Sequence, residues 1–179
     1  MALILITGPS RSGKSAWAEA LAQRTTQPIT YIATAAHNPN DPEWEARIAQ
    51  HQQRRPESWK VLELNRELIS YLQKQQDPTS CLLIDSLGTW LATWLEKSEE
   101  DWEPIATEFT EVMTNYKGTV ILVSEEVGWG VVPAYPMGRL FRDRLGTLNQ
   151  TLGVMAQEAY LVVSGYALDL KKFGIPTQM

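Results

Sequence analysis

The chain has 179 residues, 44% hydrophobic and 21% charged. This is ordinary globular usage, which excludes wholesale disorder and fits one domain with some elaboration. Sixteen Lys and Arg against twenty-one Asp and Glu leave a formal net charge of −5, which argues against a protein that lives on nucleic acid phosphates. The single cysteine, Cys81, excludes an intrachain disulfide and a paired-Cys metal framework. No run approaches the roughly 18 apolar residues of a membrane span. The opening Met-Ala-Leu-Ile-Leu-Ile-Thr lacks the basic n-region of a signal peptide. The expectation is a cytoplasmic protein in a reducing compartment.

Taken in order, short apolar runs alternate with helical patterns, the βαβ signature of a mostly parallel sheet covered by helices, an α/β fold. Strands are expected at 3–6, 29–33, 81–84, 120–123 and 160–163, rich in consecutive Ile, Val and Leu as strands buried on both faces are. A sixth, 59–64, alternates more and belongs at an edge. Helices are expected from 12 to about 25, 42 to about 55, 64–76, 86–97, 101–116 and 136–157. The helix from Pro42 begins with Asp41 as cap, Pro42 in its first turn, and Glu43 and Glu45 where the dipole favours acids. The last helix carries Met137, Phe141, Leu145, Leu148, Leu152 and Met155 as one apolar stripe. Residues 73–80 and 96–103 read as solvated connections, and 171–179 as a tail beyond the last strand.

Gly8-Pro9-Ser10-Arg11-Ser12-Gly13-Lys14-Ser15 fits G-x-x-x-x-G-K-[ST] between an expected strand and an expected helix. Its glycines let the backbone curl so that N–H groups point at phosphate oxygens, with the helix N-terminus adding partial positive charge. Lys14 then reaches the β and γ phosphates, and the Ser15 hydroxyl is placed to coordinate Mg²⁺. Such a loop needs a carboxylate at the end of a neighbouring strand, and Asp85 closes the run Cys81-Leu82-Leu83-Ile84. Capping the helix that starts near Ser86 is a second role open to Asp85.

There are two histidines. His37 stands in a polar loop with Asn38, Pro39 and Asn40 and reads as merely exposed. His51 lies late in the helix from Pro42 and shares one face with Trp44 and Ile48, and an overlapping one with Arg47 and Arg54. Packing beneath Trp44 would explain it. The guanidinium company of Arg47, Arg54 and Arg55 suits instead a neutral imidazole that receives a phosphate ester.

Glu125-Glu126-Val127-Gly128-Trp129-Gly130-Val131-Val132-Pro133 forms a rigid loop at a strand's C-terminal end, the face where α/β ligands bind. Beyond it Arg139 and Arg142 stand three apart on one helix, which fits a solvated face and a clamp for a second anionic substrate equally well.

Together these segments resemble a known family. The phosphate loop 8–15, Ile32-Ala33-Thr34, Arg47-Ile48 with His51 and Arg55-Pro56 through Trp59, Glu126 to Pro133, Phe141-Arg142-Asp143 with Gly146 and Asn149-Gln150, and Leu161 to Gly165 occur in the order of the bifunctional adenosylcobinamide kinase / adenosylcobinamide-phosphate guanylyltransferases of cobalamin biosynthesis. The resemblance runs from residue 2 to about 172. It implies a RecA-like P-loop domain over 1–172 with a flexible tail at 173–179, and a propeller-like trimer as the homo-oligomer. It implies phosphorylation of adenosylcobinamide from ATP or GTP with Mg²⁺. It also implies transfer of GMP from GTP, through a guanylylated histidine, to adenosylcobinamide phosphate, giving adenosylcobinamide-GDP.

The resemblance puts the guanylylated histidine at His51, with Lys14 as its catalytic companion. It puts nucleotide contacts at Gly8, Pro9, Ser10, Arg11, Ser12, Gly13, Lys14 and Ser15, at Ala33, Thr34 and Ala35, at Gln52, Gln53, Arg54 and Arg55, and at Glu63 and Asp85. The metal falls to Ser15 and Asp85. Some relatives have two adjacent histidines where this chain has Gln50-His51, and others carry Glu where Asp85 stands. A plain P-loop small-molecule kinase, or a regulatory nucleotide-binding module, would use the loop without His51.

Overall fold

The computed structural model describes residues 2–35, 40–53 and 55–177, without the side chains of Trp44, Arg47, Gln50, His51 and Gln53. Its elements are β1 (Ala2–Thr7), α1 (Lys14–Gln23), β2 (Ile29–Ala33), α2 (Pro42–Gln53), β3 (Lys60–Glu63), α3 (Leu68–Lys74), β4 (Cys81–Asp85), α4 (Leu87–Ala92), α5 (Glu99–Asn115), β5 (Thr119–Val123), α6 (Pro136–Met155), β6 (Glu158–Val163), β7 (Tyr166–Asp169) and α7 (Leu170–Phe173). The strands form one sheet ordered β3-β2-β4-β5-β1-β6-β7. All neighbours are parallel except β6 and β7.

Alternation along each strand divides the apolar runs between two layers. Ile4, Ile6, Tyr31, Leu83, Ile121 and Val123 face the side covered by Ala18 and Ala22 of α1. Leu3, Leu5, Ile32, Leu82, Ile84, Val120 and Leu122 face the side covered by α3, α4, α5 and α6. On that larger side Trp90 stacks on Phe109 at 4.1 Å between ring centres and packs against Trp102, so these two tryptophans belong to the core. The apolar stripe of α6 is buried at Leu145, Leu148 and Leu152, yet Met137 is exposed. A helix of 20 residues is about 30 Å long and outruns strands of five or six residues, so its first turn stands beyond the sheet.

Three expectations need correction. The connection expected at 96–103 is tied down: α5 starts at Glu99 with Ser98 as cap. Arg144, 4% exposed, binds the carbonyls of Trp94 and Lys97 and the carboxylate of Glu99. The sheet does not stop at 163, because Ser164 (φ 51) and Gly165 (φ 81) make a two-residue turn into β7. The segment beyond is not all tail, since Asp169 caps the short α7 by accepting from the N–H groups of Lys171 and Lys172.

Candidate active site

The parallel strands β1, β2, β3, β4 and β5 end on one edge, which gathers Thr7, Ala33, Glu63, Asp85 and Val123. The phosphate loop leaves that edge between β1 and α1. Arg11 (φ 60) and Gly13 (φ 94) are both left-handed, the backbone form that turns successive N–H groups toward one concavity. Pro9 offers its carbonyl to the Ser12 N–H at 3.3 Å and to the Lys14 ammonium at 3.4 Å. Lys14 is therefore folded back over the loop, and it is nearly buried at 9% exposure. The Ser12 hydroxyl is buried with no hydrogen-bond partner among the described residues, packed close to Gly8. A Cβ at Gly8 would collide with the carbonyl of Val162, so only glycine lets the loop rest on β6. Ser15 follows in the first turn of α1.

Asp85 ends β4, but β4 is not the neighbour of β1, because β5 lies between them. The expected adjacency of carboxylate strand and loop strand is thus corrected to a separation of two strand spacings. The cap of α4 is Ser86, whose hydroxyl accepts from the Thr89 N–H, which leaves the Asp85 carboxylate to the site. It accepts from the Tyr31 hydroxyl at 2.8 Å, and the Arg55 guanidinium lies over the Tyr31 ring at 3.6 Å. Burial, and then the Asp85 carboxylate, push the Tyr31 phenol far above its ordinary range, with Arg55 opposing.

Thr34 is fully buried, and its hydroxyl is engaged with the Ser86 backbone (2.6 Å to the carbonyl, 2.8 Å from the N–H) and with Thr89 at 2.5 Å. It ties the end of β2 to the end of β4. Ala33 and Ala35 are half-buried beside it, Gln52 is exposed on α2, and Glu63 ends β3 next to Ala33. His51 and Gln53 lie in α2, with side chains outside the described set, as are His37 and Arg54 altogether. Arg139 donates to the carbonyls of Pro133 and Ala134 at 2.9 and 2.8 Å and fastens the glycine loop to α6.

Glu125 was not singled out by the sequence, yet it sits within the cluster. Its carboxylate accepts from the Gly88 N–H at 3.0 Å. Burial raises its pKa, and Asp85 raises it further, against the opposing pull of Ser86 and Lys14. The signal was there: an acid two residues past the β5 run, where the strand beside β1 ends.

Among the described residues no three His, Cys, Asp or Glu gather as a metal cage. Ser15 and Asp85 on the same edge fit Mg²⁺ all the same, which keeps waters and substrate phosphates as ligands rather than needing an all-protein set.

The loop, the folded-back lysine and a sheet in which one strand separates the loop strand from the acid strand define a RecA-like P-loop nucleotide-binding fold. Solved structures agree on the fold. The RadB recombinase matches with a TM-score of 0.52 at 16% identity, over 89% of this chain and 73% of that one. The flagellar accessory protein FlaH from Methanocaldococcus jannaschii matches with 0.51 at 14% identity, over 93% and 74%. Residues 4–170 match the family model described as cobinamide kinase / cobinamide phosphate guanyltransferase. The chain is 35% identical to the bifunctional adenosylcobalamin biosynthesis protein CobU of Escherichia coli K12, covering 94% of this chain and 99% of that protein. It is 37% identical to the corresponding CobP of Pseudomonas aeruginosa, covering 93% and 96%. The chain belongs to the cobinamide kinase / cobinamide phosphate guanyltransferase family. Among the described residues no helix is long and apolar enough to cross a membrane.

Proposed function

We propose that this protein catalyses both reactions of its family: phosphorylation of the hydroxyl of adenosylcobinamide from a nucleoside triphosphate, and transfer of GMP from GTP to the resulting phosphate through His51. The observation that carries the reading is the Arg11–Gly13 cradle with Lys14 at its mouth, inside a family match that also spans the His51 helix. In phosphoryl transfer the protein mainly positions and neutralises charge. Backbone N–H groups among residues 10–15 would take phosphate oxygens, and Lys14 would exchange the Pro9 carbonyl for the β and γ phosphates. Ser15 and Asp85 would hold Mg²⁺, which supplies charge neutralisation along the triphosphate when bound.

In the second reaction the His51 imidazole attacks the α phosphorus, a phosphorus–nitrogen bond forms, and pyrophosphate leaves with the bridging oxygen. The acceptor phosphate then displaces the imidazole. The remaining nucleotide contacts of this reading are Ala33, Thr34 and Ala35, Gln52 to Arg55, and Glu63, with Thr34 acting through the Asp85–Ser86 backbone that it holds. A cytoplasmic trimer, with residues 1–172 working as one kinase and transferase domain, belongs to the same reading.

Incubation with α-labelled GTP and Mg²⁺ tests it. The chain should acquire an acid-labile, base-stable label, and His51→Ala should abolish that label. ATP turnover without any label would reduce the protein to a plain kinase.

A further inference from the structure

The loop after β5 and the middle of α6 border an open pocket of about 470 Å³, lined among others by Glu126, Gly128, Arg142, Asp143, Thr147 and Asn149. One wall is shared with the phosphate loop. The Glu126 N–H donates to the Gly8 carbonyl at 3.0 Å, which fixes the start of this loop against the first residue of the phosphate loop. Asn149 braces the same wall: it accepts from the Ser124 hydroxyl at 2.6 Å and donates to the Glu125 carbonyl at 3.0 Å and the Glu126 carboxylate at 3.5 Å. A molecule seated here would be one residue, Glu126, away from the start of the phosphate loop.

The lining is polar, with carboxylates, a guanidinium, a hydroxyl and amides, and glycines at 128 and 146 leave room for close approach. It suits a ligand bearing hydroxyls and amides rather than an apolar one. Among the described residues Arg142 holds only its chain neighbour, with Nε and Nη2 on one oxygen of Asp143 at 2.8 and 2.7 Å. Asp143 is 63% exposed, and such surface pairs are weak enough to be exchanged for a doubly charged phosphate.

We propose that this pocket is the acceptor subsite for both reactions, in which Glu126 receives the proton of the attacking hydroxyl and Arg142 leaves Asp143 to bind the phosphate once it is made. The assignment rests on the two-reaction reading above. In the kinase step the acceptor oxygen forms its bond to the γ phosphorus, and the bond from that phosphorus to the β–γ bridging oxygen breaks. The nucleoside diphosphate departs and the hydroxyl proton passes to the Glu126 carboxylate. Partial burial raises the pKa of Glu126, which favours a proton acceptor over a fixed anion. In the transfer step no hydroxyl proton is released, so Glu126 is needed by the first reaction alone.

Acceptor-dependent release of nucleoside diphosphate, with cobinamide as the probe, reads the kinase step, and labelling by α-labelled GTP reads the cradle without the acceptor. Glu126→Gln should lower the kinase rate by roughly 10²–10⁴-fold while the chain still labels. Arg142→Gln should raise KM for cobinamide phosphate about tenfold or more, with KM for cobinamide changed by less than about threefold. A Cβ at Gly146 meets nothing within 4 Å, so Gly146→Leu should fold, label, and fail to saturate with either acceptor. Kinase turnover by Glu126→Gln within about threefold of wild type, or normal acceptor KM in Gly146→Leu, would overturn the assignment. Loss of labelling together with kinase activity in Glu126→Gln would also overturn it, making Glu126 a prop of the phosphate loop. Wild-type protein that neither labels nor phosphorylates would instead sink the two-reaction reading itself.

Discussion

Tyr31 joins two segments through one ring, its hydroxyl on Asp85 and its face beneath Arg55. Tyr31→Phe keeps the stacking surface and deletes the donor. A hydrogen bond to a charged group contributes roughly 1.5–3 kcal/mol, so urea denaturation should show a loss of about that size, and Mg²⁺-dependent nucleotide affinity should fall several-fold. Glu125 makes a second prediction. Its folded-state pKa is raised above the ordinary 4.5, so in the window above 4.5 the folded protein holds a proton that the unfolded chain has released. Stability must then fall as pH rises through that window. Glu125→Gln removes this titration, and its denaturation midpoint, followed from pH 4.5 upward, should lack that part of the decline. Asp85 stands at the end of its strand as the apolar run before it implied, and the lysine could be read from spacing because the loop motif dictates it. Glu125 could not, because its importance comes from burial and from neighbours more than thirty residues away on β4 and α4.

Elements were legible where one requirement dominated. The central strands announced themselves because both faces are buried, and the edge position of β3 showed in its alternation. β7 was missed because Tyr166-Ala167-Leu168-Asp169 is short, half exposed and poor in β-branched residues, although the Ser164-Gly165 pair before it is a hairpin signal. The anchoring of α6 was missed for a related reason, since a buried Arg144 looks like any helical arginine until its carbonyl partners fold around it. Arg144→Ala should cost about 3 kcal/mol by orphaning those carbonyls, measured by thermal or chemical unfolding. Gly8→Ala should be harsher for function. Its methyl meets backbone of β6 and cannot be relieved by a rotamer change, so the loop must move and nucleotide binding should drop below detection in calorimetry.

Across the whole molecule, the site draws on the ends of β1, β2, β4 and β5 and on the loops that follow them, so ligand should stabilise the entire sheet rather than one loop. At a GTP concentration about 100 times Kd, linkage supplies about 2.7 kcal/mol. For a chain of this size that is a rise in Tm of roughly 5–10 °C. Lys14→Ala should erase the rise while leaving the unliganded Tm within a few degrees. The strand order adds a constraint of its own. With β5 interposed, β1, which leads into the cradle, and β4, which ends at Asp85, run about 10 Å apart. The Ser15 and Asp85 side chains, with Mg²⁺ and its waters between them, would close what the interposed strand holds open, so the spacing of two strands rather than the base would set where the metal-bound phosphates lie.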